Sequence, residues 1–159
     1  MKRKLTHVDK SGNPRMVDIS GKKITHRIAR ARAVVRLGSA IMKQVHGREL
    51  VTKKGPVFQT AIIAGVAGAK KTSELIPFCH PLALEDCQIL ITPKKQKVII
   101  EAVARTTGKT GVEMEALTAA ATAALTVYDM CKALSHYIII EEICLLEKKG
   151  GKKDFKRSG

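Results

Sequence analysis

Leu84-Glu85-Asp86-Cys87-Gln88-Ile89-Leu90-Ile91-Thr92-Pro93-Lys94-Lys95-Gln96-Lys97-Val98-Ile99-Ile100-Glu101-Ala102-Val103-Ala104-Arg105 reads as one β-hairpin. Two largely apolar runs, residues 84–91 and 97–105, flank the polar cluster Pro93-Lys94-Lys95-Gln96. β-Branched residues fit a pleated, half-buried surface, and a short polar cluster with proline breaks it, so the pattern predicts two strands joined by a loop of the four-residue class. A hairpin at mid-chain sets two antiparallel neighbours, around which the rest must be arranged.

On its N-terminal side, residues 56–76 predict a helix. Pro56 suits the first helical position, and Ala61, Ala64, Gly65, Gly68 and Ala69 recur at spacings that let another element approach closely. On its C-terminal side a second helix is expected from Thr110 to about Leu134, because Thr110 and Glu113 match the capping-box pattern S/T-x-x-E. Residues 25–37 and 137–146 read as strands, 39–46 as a short helix and 47–54 as a polar connection. Strand, helix, strand, strand, helix, strand predicts an α+β protein: a ferredoxin-like (split βαβ) antiparallel sheet with two long helices on one face. A length of 159 residues suits a single domain, 1–159, with an irregular arm over 1–23 and a flexible basic tail over 148–159.

Charge narrows the partners. The chain has 29 Lys+Arg against 14 Asp+Glu, a net +15, which attracts polyanions. It has no Trp, two Tyr and three Phe, and none of these lies in the hairpin, so stacking platforms for unpaired bases are scarce and no nucleic-acid partner is expected. No apolar run approaches a membrane span, and Met1-Lys2-Arg3-Lys4-Leu5-Thr6 lacks the apolar core of a secretory signal, so neither membrane nor export is expected. Cys79, Cys87, Cys131 and Cys144 include no C-x-x-C pair. No metal site is predicted, and reduced thiols in a cytoplasmic setting are the default.

Several segments look chemical. Cys79 and His80 stand between Pro77 and Pro81, downstream of Lys70 and Lys71. The first proline cannot continue a helix and the second extends His80, so thiol, imidazole and ammonium groups are displayed on a stiff segment suited to an anionic ligand. Gly108-Lys109-Thr110 is no phosphate loop of the G-x-x-x-x-G-K-[ST] type, since position 103 is Val103. Lys109 beside a helix start is either an anion contact or a surface lysine. Glu113 is explained at least as well by capping as by chemistry, and Glu115 less so.

Asp129 and Lys132, three apart, suit a surface ion pair, yet an aspartate near a helix C-terminus opposes the dipole. Lys53-Lys54 before a helix is a weak phosphate signal. Met114 and Asp129 are separated by on the order of 22 Å along a continuous helix. If both ends matter, the ligand is long or the site is shared between subunits, and an oligomer with composite sites is favoured.

Leu75-Ile76-Pro77-Phe78-Cys79-His80-Pro81-Leu82, the run from Thr107 through Gly108-Lys109-Thr110-Gly111-Val112-Glu113-Met114-Glu115 to Ala120, and Leu125-Thr126-Val127-Tyr128-Asp129-Met130-Cys131-Lys132-Ala133 strongly resemble the molybdenum cofactor biosynthesis protein C family. The similarity covers essentially the whole chain. It implies a lyase, cyclic pyranopterin monophosphate synthase, that converts (8S)-3′,8-cyclo-7,8-dihydroguanosine 5′-triphosphate to cyclic pyranopterin monophosphate with release of pyrophosphate. It also implies a homohexamer, a trimer of dimers, with active sites at dimer interfaces.

Carried over by motif, Asp129, Lys132 and Lys54 are the catalytic residues. Phe78, Cys79, His80, Met114 and Glu115, with Glu113 beside them, bind substrate, and Lys70 and Lys152 contact phosphates. No cofactor is expected; magnesium bound through the triphosphate would leave little trace in the protein. The tail Gly150-Gly151-Lys152-Lys153-Asp154-Phe155 departs from the family's usual Gly-Gly-Lys-Ser-Gly, and Ile28 stands where an acidic residue is common.

Overall fold

The computed structural model describes Val8, Asp9 and residues 11–158; the remainder of the expected N-terminal arm, residues 1–7 and 10, lies outside the described residues. In chain order the elements are β1 (Thr25–Arg36), α1 (Ser39–Met42), β2 (Val45–His46), β3 (Glu49–Thr52), β4 (Gly55–Pro56), α2 (Val57–Lys70), α3 (Thr72–Leu75), β5 (Asp86–Lys94), β6 (Lys97–Gly108), α4 (Glu113–Cys131), β7 (Ile139–Lys149) and β8 (Phe155–Lys156).

The hairpin is β5–β6, registered from Asp86↔Arg105 to Lys94↔Lys97. Its loop is tighter than the four-residue class: Lys95 and Gln96 alone make the turn, with Lys95 at φ 54. The Gln96 carbonyl accepts the N–H groups of Leu37 and Gly38, each at 3.0 Å, which pins the turn to the end of β1. β1 then pairs β6 on one side and β7 on the other, all antiparallel, giving the sheet order β5-β6-β1-β7-β8.

Alternation along the strands separates two faces. Ala29, Ala31, Ala33 and Val35 of β1, with Val98, Ile100, Ala102 and Ala104 of β6, are buried beneath the helices. α4 lays Ala116, Ala119, Ala120, Ala123 and Val127 into this core, while α2 packs on α4 and β5. Small residues make the fit: a Cβ on Gly65 would meet the Ala119 carbonyl oxygen at 2.9 Å, so α2 reaches α4 almost backbone to backbone. The other face carries cross-strand ion pairs, Arg30–Glu101 at 2.5 Å, Arg32–Glu142 at 2.8 Å and Arg105–Asp86. Cys144 lies on that face, its thiol 2.7 Å from Glu142.

Three local expectations are corrected. The helix expected over 56–76 stops at Lys70, because Thr72 turns its hydroxyl to the Ala69 carbonyl at 2.9 Å and is buried there; one more turn follows before Pro77. Residues 47–54, read as a polar connection, belong to a small sheet of order β2-β3-β4. Glu49 holds it against α2, its carboxylate accepting the Phe58 and Gln59 N–H groups at 2.8 and 3.1 Å, where a helix leaves its first amides unpaired.

The third correction concerns the capping box. α4 begins at Glu113, with Val112 at its N-cap and no side-chain cap. Residues 148–159, expected as a tail, contribute Lys148 and Lys149 to β7 and Phe155–Lys156 to a pairing with it. Among the described residues no helix is long and apolar enough to cross a membrane.

Candidate active site

The two ends of α4 hold different chemistry. At its N-terminal end a cleft of about 720 Å³ is lined by Phe78, Cys79, His80, Glu113, Met114, Glu115 and Lys152, which the sequence had nominated. Pro77 and Pro81 explain the first wall: the chain leaves α3 extended at Ile76, and Cys79 N–H bonds back to the Ile76 carbonyl at 3.1 Å. The opposite wall is the segment Val17, Asp18, Ile19 and Lys22. None of these four was nominated as a site residue, although Met16-Val17-Asp18-Ile19-Ser20 resembles the family and a lysine pair, Lys22-Lys23, follows the Asp18–Ser20 turn.

Glu115 points into this cleft from the first turn of α4 and is 4% exposed. Burial penalises its charged form and pushes its pKa up to about 7, with the neighbouring Glu113 charge adding to the rise. Near neutral pH it is poised between acid and base. The Cys79 thiol is also pushed up, first by burial and then by Glu115, so it is held as a thiol rather than a nucleophilic thiolate. Glu113 does not close a capping box with Thr110. Its carboxylate folds over Gly111, where any Cβ would collide with it, and accepts Lys148 Nζ at 2.9 Å across the sheet.

A second cleft of about 430 Å³ continues from the first, sharing Lys22, Thr110, Gly111, Glu113 and Lys152. It is lined by Arg27, Lys109, Lys148, Lys149 and Lys153 besides, so cations face a single carboxylate, Glu113. Field lines from one sign of charge in a concave wall favour an oligophosphate. Lys109 Nζ also donates to the Ser20 carbonyl at 2.8 Å.

At the C-terminal end of α4, Asp129 is gripped from both sides. Lys132 Nζ lies 2.7 Å from one carboxylate oxygen and Lys54 Nζ 2.7 Å from the other, with Lys54 also donating to the Asp129 carbonyl at 3.0 Å. Lys54 arrives from the β3–β4 turn, 75 residues away in sequence. Two ammonium groups offset the unfavourable helix dipole and hold the Asp129 carboxyl down to about 2, Lys132 contributing first and Lys54 second. Asp129 in turn raises the Lys132 pKa, so Lys132 is an ammonium at neutral pH. The group is open to solvent, with Asp129 53% exposed.

The structure therefore gathers Lys54, Asp129 and Lys132 at one end, and Phe78, Cys79, His80, Glu113, Met114, Glu115 and Lys152 at the other. Lys70, in the last turn of α2, lines neither of these clefts; its charge bears on Cys87. Among the described residues no three His, Cys, Asp or Glu side chains gather as a metal-holding group.

Comparison with known proteins gives the chain a family. The chain is 50% identical over 152 residues to a protein of Xanthomonas oryzae named cyclic pyranopterin monophosphate synthase, covering 95% of this chain and 92% of that one. It is 50% identical over 155 residues to molybdenum cofactor biosynthesis protein 1 of Drosophila melanogaster, spanning 96% of this chain but only 27% of that protein. It is 48% identical over 158 residues to a molybdenum cofactor biosynthesis bifunctional protein of Synechocystis, spanning 46% of it. The model of the MoaC family matches residues 16–151, a span that takes in the arm at Asp18 and Lys22, the Cys79–His80 wall, the whole of α4 and Gly151 beside Arg27; the chain belongs to the MoaC family.

Proposed function

We propose that this chain is a cyclic pyranopterin monophosphate synthase whose site is assembled from two subunits, the α4 N-terminal clefts of one and the Lys54–Asp129–Lys132 group of another. The observation that carries the composite site is separation: the two constellations sit at opposite ends of a 19-residue helix that would span on the order of 28 Å. The reaction needs both sets of groups at one substrate. A homohexamer built as a trimer of dimers supplies that meeting, and the Ala-rich α4 is compatible with close approach.

The antiparallel order β5-β6-β1-β7 supports the ferredoxin-like, split βαβ reading of the subunit as a single domain. Four free thiols favour a reducing, cytoplasmic setting.

The substrate is the cyclised dihydroguanosine triphosphate. Its base, and the pterin formed from it, rest between Phe78-Cys79-His80 and Met114-Glu115, while the basic cleft around Lys152 receives phosphates. Opening the imidazole ring by water and closing the pterin ring both move protons, and Glu115 is poised to carry them. In the phosphate step a ribose hydroxyl forms a bond to the α-phosphorus as the bond to pyrophosphate breaks. Lys132 and Lys54 stabilise the charge that spreads over the phosphoryl oxygens, and Asp129 orients them. Magnesium accompanying the triphosphate would be held through the phosphates rather than by a protein ligand set.

Incubating the protein with the cyclised triphosphate and following pyrophosphate and pterin together tests this reading. Stoichiometric release of both is expected; a fully folded protein that releases neither overturns it.

A further inference from the structure

We infer that Lys109 is a positioning residue that latches the segment 17–22 in place as a wall of the cleft, and so sets substrate affinity without touching the reacting atoms. This rests on the synthase reading only for the identity of the substrate. The latch itself is a matter of geometry.

Residues 17–22 make a tight local fold: Asp18 Oδ1 accepts the Ser20 N–H at 2.8 Å and the Lys22 N–H bonds the Ile19 carbonyl at 3.0 Å. Those bonds shape the segment but do not attach it. Among the described residues, the hydrogen bond from Lys109 Nζ to the Ser20 carbonyl, 2.8 Å across 89 residues, is the one that joins residues 11–23 to any residue after 23. Apart from it, half-buried Val17 and Ile19 supply only apolar seating.

The placement has a consequence at both ends. Lys109 sits just past β6 and ahead of Gly111, so it is anchored to the stretch that leads into α4 and Glu115. The segment it grips puts Asp18 and Lys22 over the same cleft. The Asp18 carboxyl is lowered first by the Ser20 N–H it accepts, and the Lys109 charge adds only a little to that. A charged donor to a carbonyl is among the stronger hydrogen bonds, and here it closes a loop across the whole molecule.

The test compares wild type, Lys109→Met and Lys109→Arg by amide hydrogen exchange at residues 17–22 and by kcat and KM for the cyclised triphosphate. Lys109→Met is expected to speed exchange at 17–22 about tenfold or more, leaving β1 and β6 protected. KM should rise about tenfold with kcat changed less than about threefold, and Lys109→Arg should recover a good part of both.

Unchanged exchange in Lys109→Met overturns the latch, whatever the kinetics do. A raised KM with unchanged exchange makes Lys109 a direct ligand contact instead. A loosened segment with an unchanged KM also overturns the proposal, since the wall would then be irrelevant to binding. Absence of turnover in wild type defeats the synthase reading, while the exchange data still decide whether the latch exists.

Discussion

The two ends of α4 take the same functional group, a carboxylate, to opposite states. Glu115 at the N-terminal end is buried and pushed up to about 7; Asp129 at the C-terminal end is exposed, paired with two lysines and held down to about 2. Desolvation governs the first and ion pairing the second. One end is thus fitted to move protons near neutral pH, the other to present fixed charge. Two carboxylates made different by their surroundings are a recurrent way to divide acid–base and electrostatic work.

The largest effect should come from breaking the fixed-charge end. Lys132→Ala is expected to lower turnover roughly 100- to 1000-fold, the scale for loss of one preorganised electrostatic group, with little change in melting temperature. An unchanged rate would remove this end from the reaction.

Next is Glu115→Gln. Its folded pKa lies above the ordinary 4.5, so between pH 4.5 and about 7 the unfolded chain releases a proton that the folded chain keeps. Stability contributed by this group is therefore full below 4.5 and lost as pH rises through that window, by about 3 kcal/mol. Urea unfolding at pH 5 and pH 8 should show wild type losing about that much more than Glu115→Gln. Any inflection of the rate near pH 7 should vanish in the variant.

A smaller effect tests whether the two ends meet across subunits. Lys54→Ala and Glu115→Ala chains, each nearly inactive, should regain up to about a quarter of wild-type activity when mixed oligomers form, because each mixed pair contains one intact composite site. No recovery in verified mixed oligomers would count against a site shared between subunits.

Smallest is the stability change of Asp129→Asn. An exposed ion pair contributes little, so the midpoint in urea should barely move at neutral pH although activity falls. In wild type the Asp129 contribution is present above its ordinary pKa and fades only as pH drops toward 2, far from the Glu115 window.

Much of this was legible in local sequence, because local rules govern it. Alternating apolar residues mark β5 and β6 whatever they pair with, and prolines at 77 and 81 dictate an extended Cys79-His80 segment by their own covalent geometry. Legibility failed where distant groups compete for the same atoms. Thr110 and Glu113 satisfy a capping pattern, yet Lys148 from β7 takes the Glu113 carboxylate instead. Lys109 reads as an anion contact or a surface lysine beside a helix start, and its bond to the Ser20 carbonyl, 89 residues away, exists only in the fold.

Element order, the strand–helix alternation, the net +15 and the motif residues of both ends are properties of the chain as written. Which carboxylate is buried, which lysine is paired and which segment walls the cleft are not. Glu115 and Asp129 look alike in sequence, since each is an acid on the same helix. Only packing decides that water is excluded from one and that Lys54, 75 residues away, is delivered to the other. Desolvation and pairing energies depend on neighbours in space, and those neighbours exist only after the sheet and helices have come together.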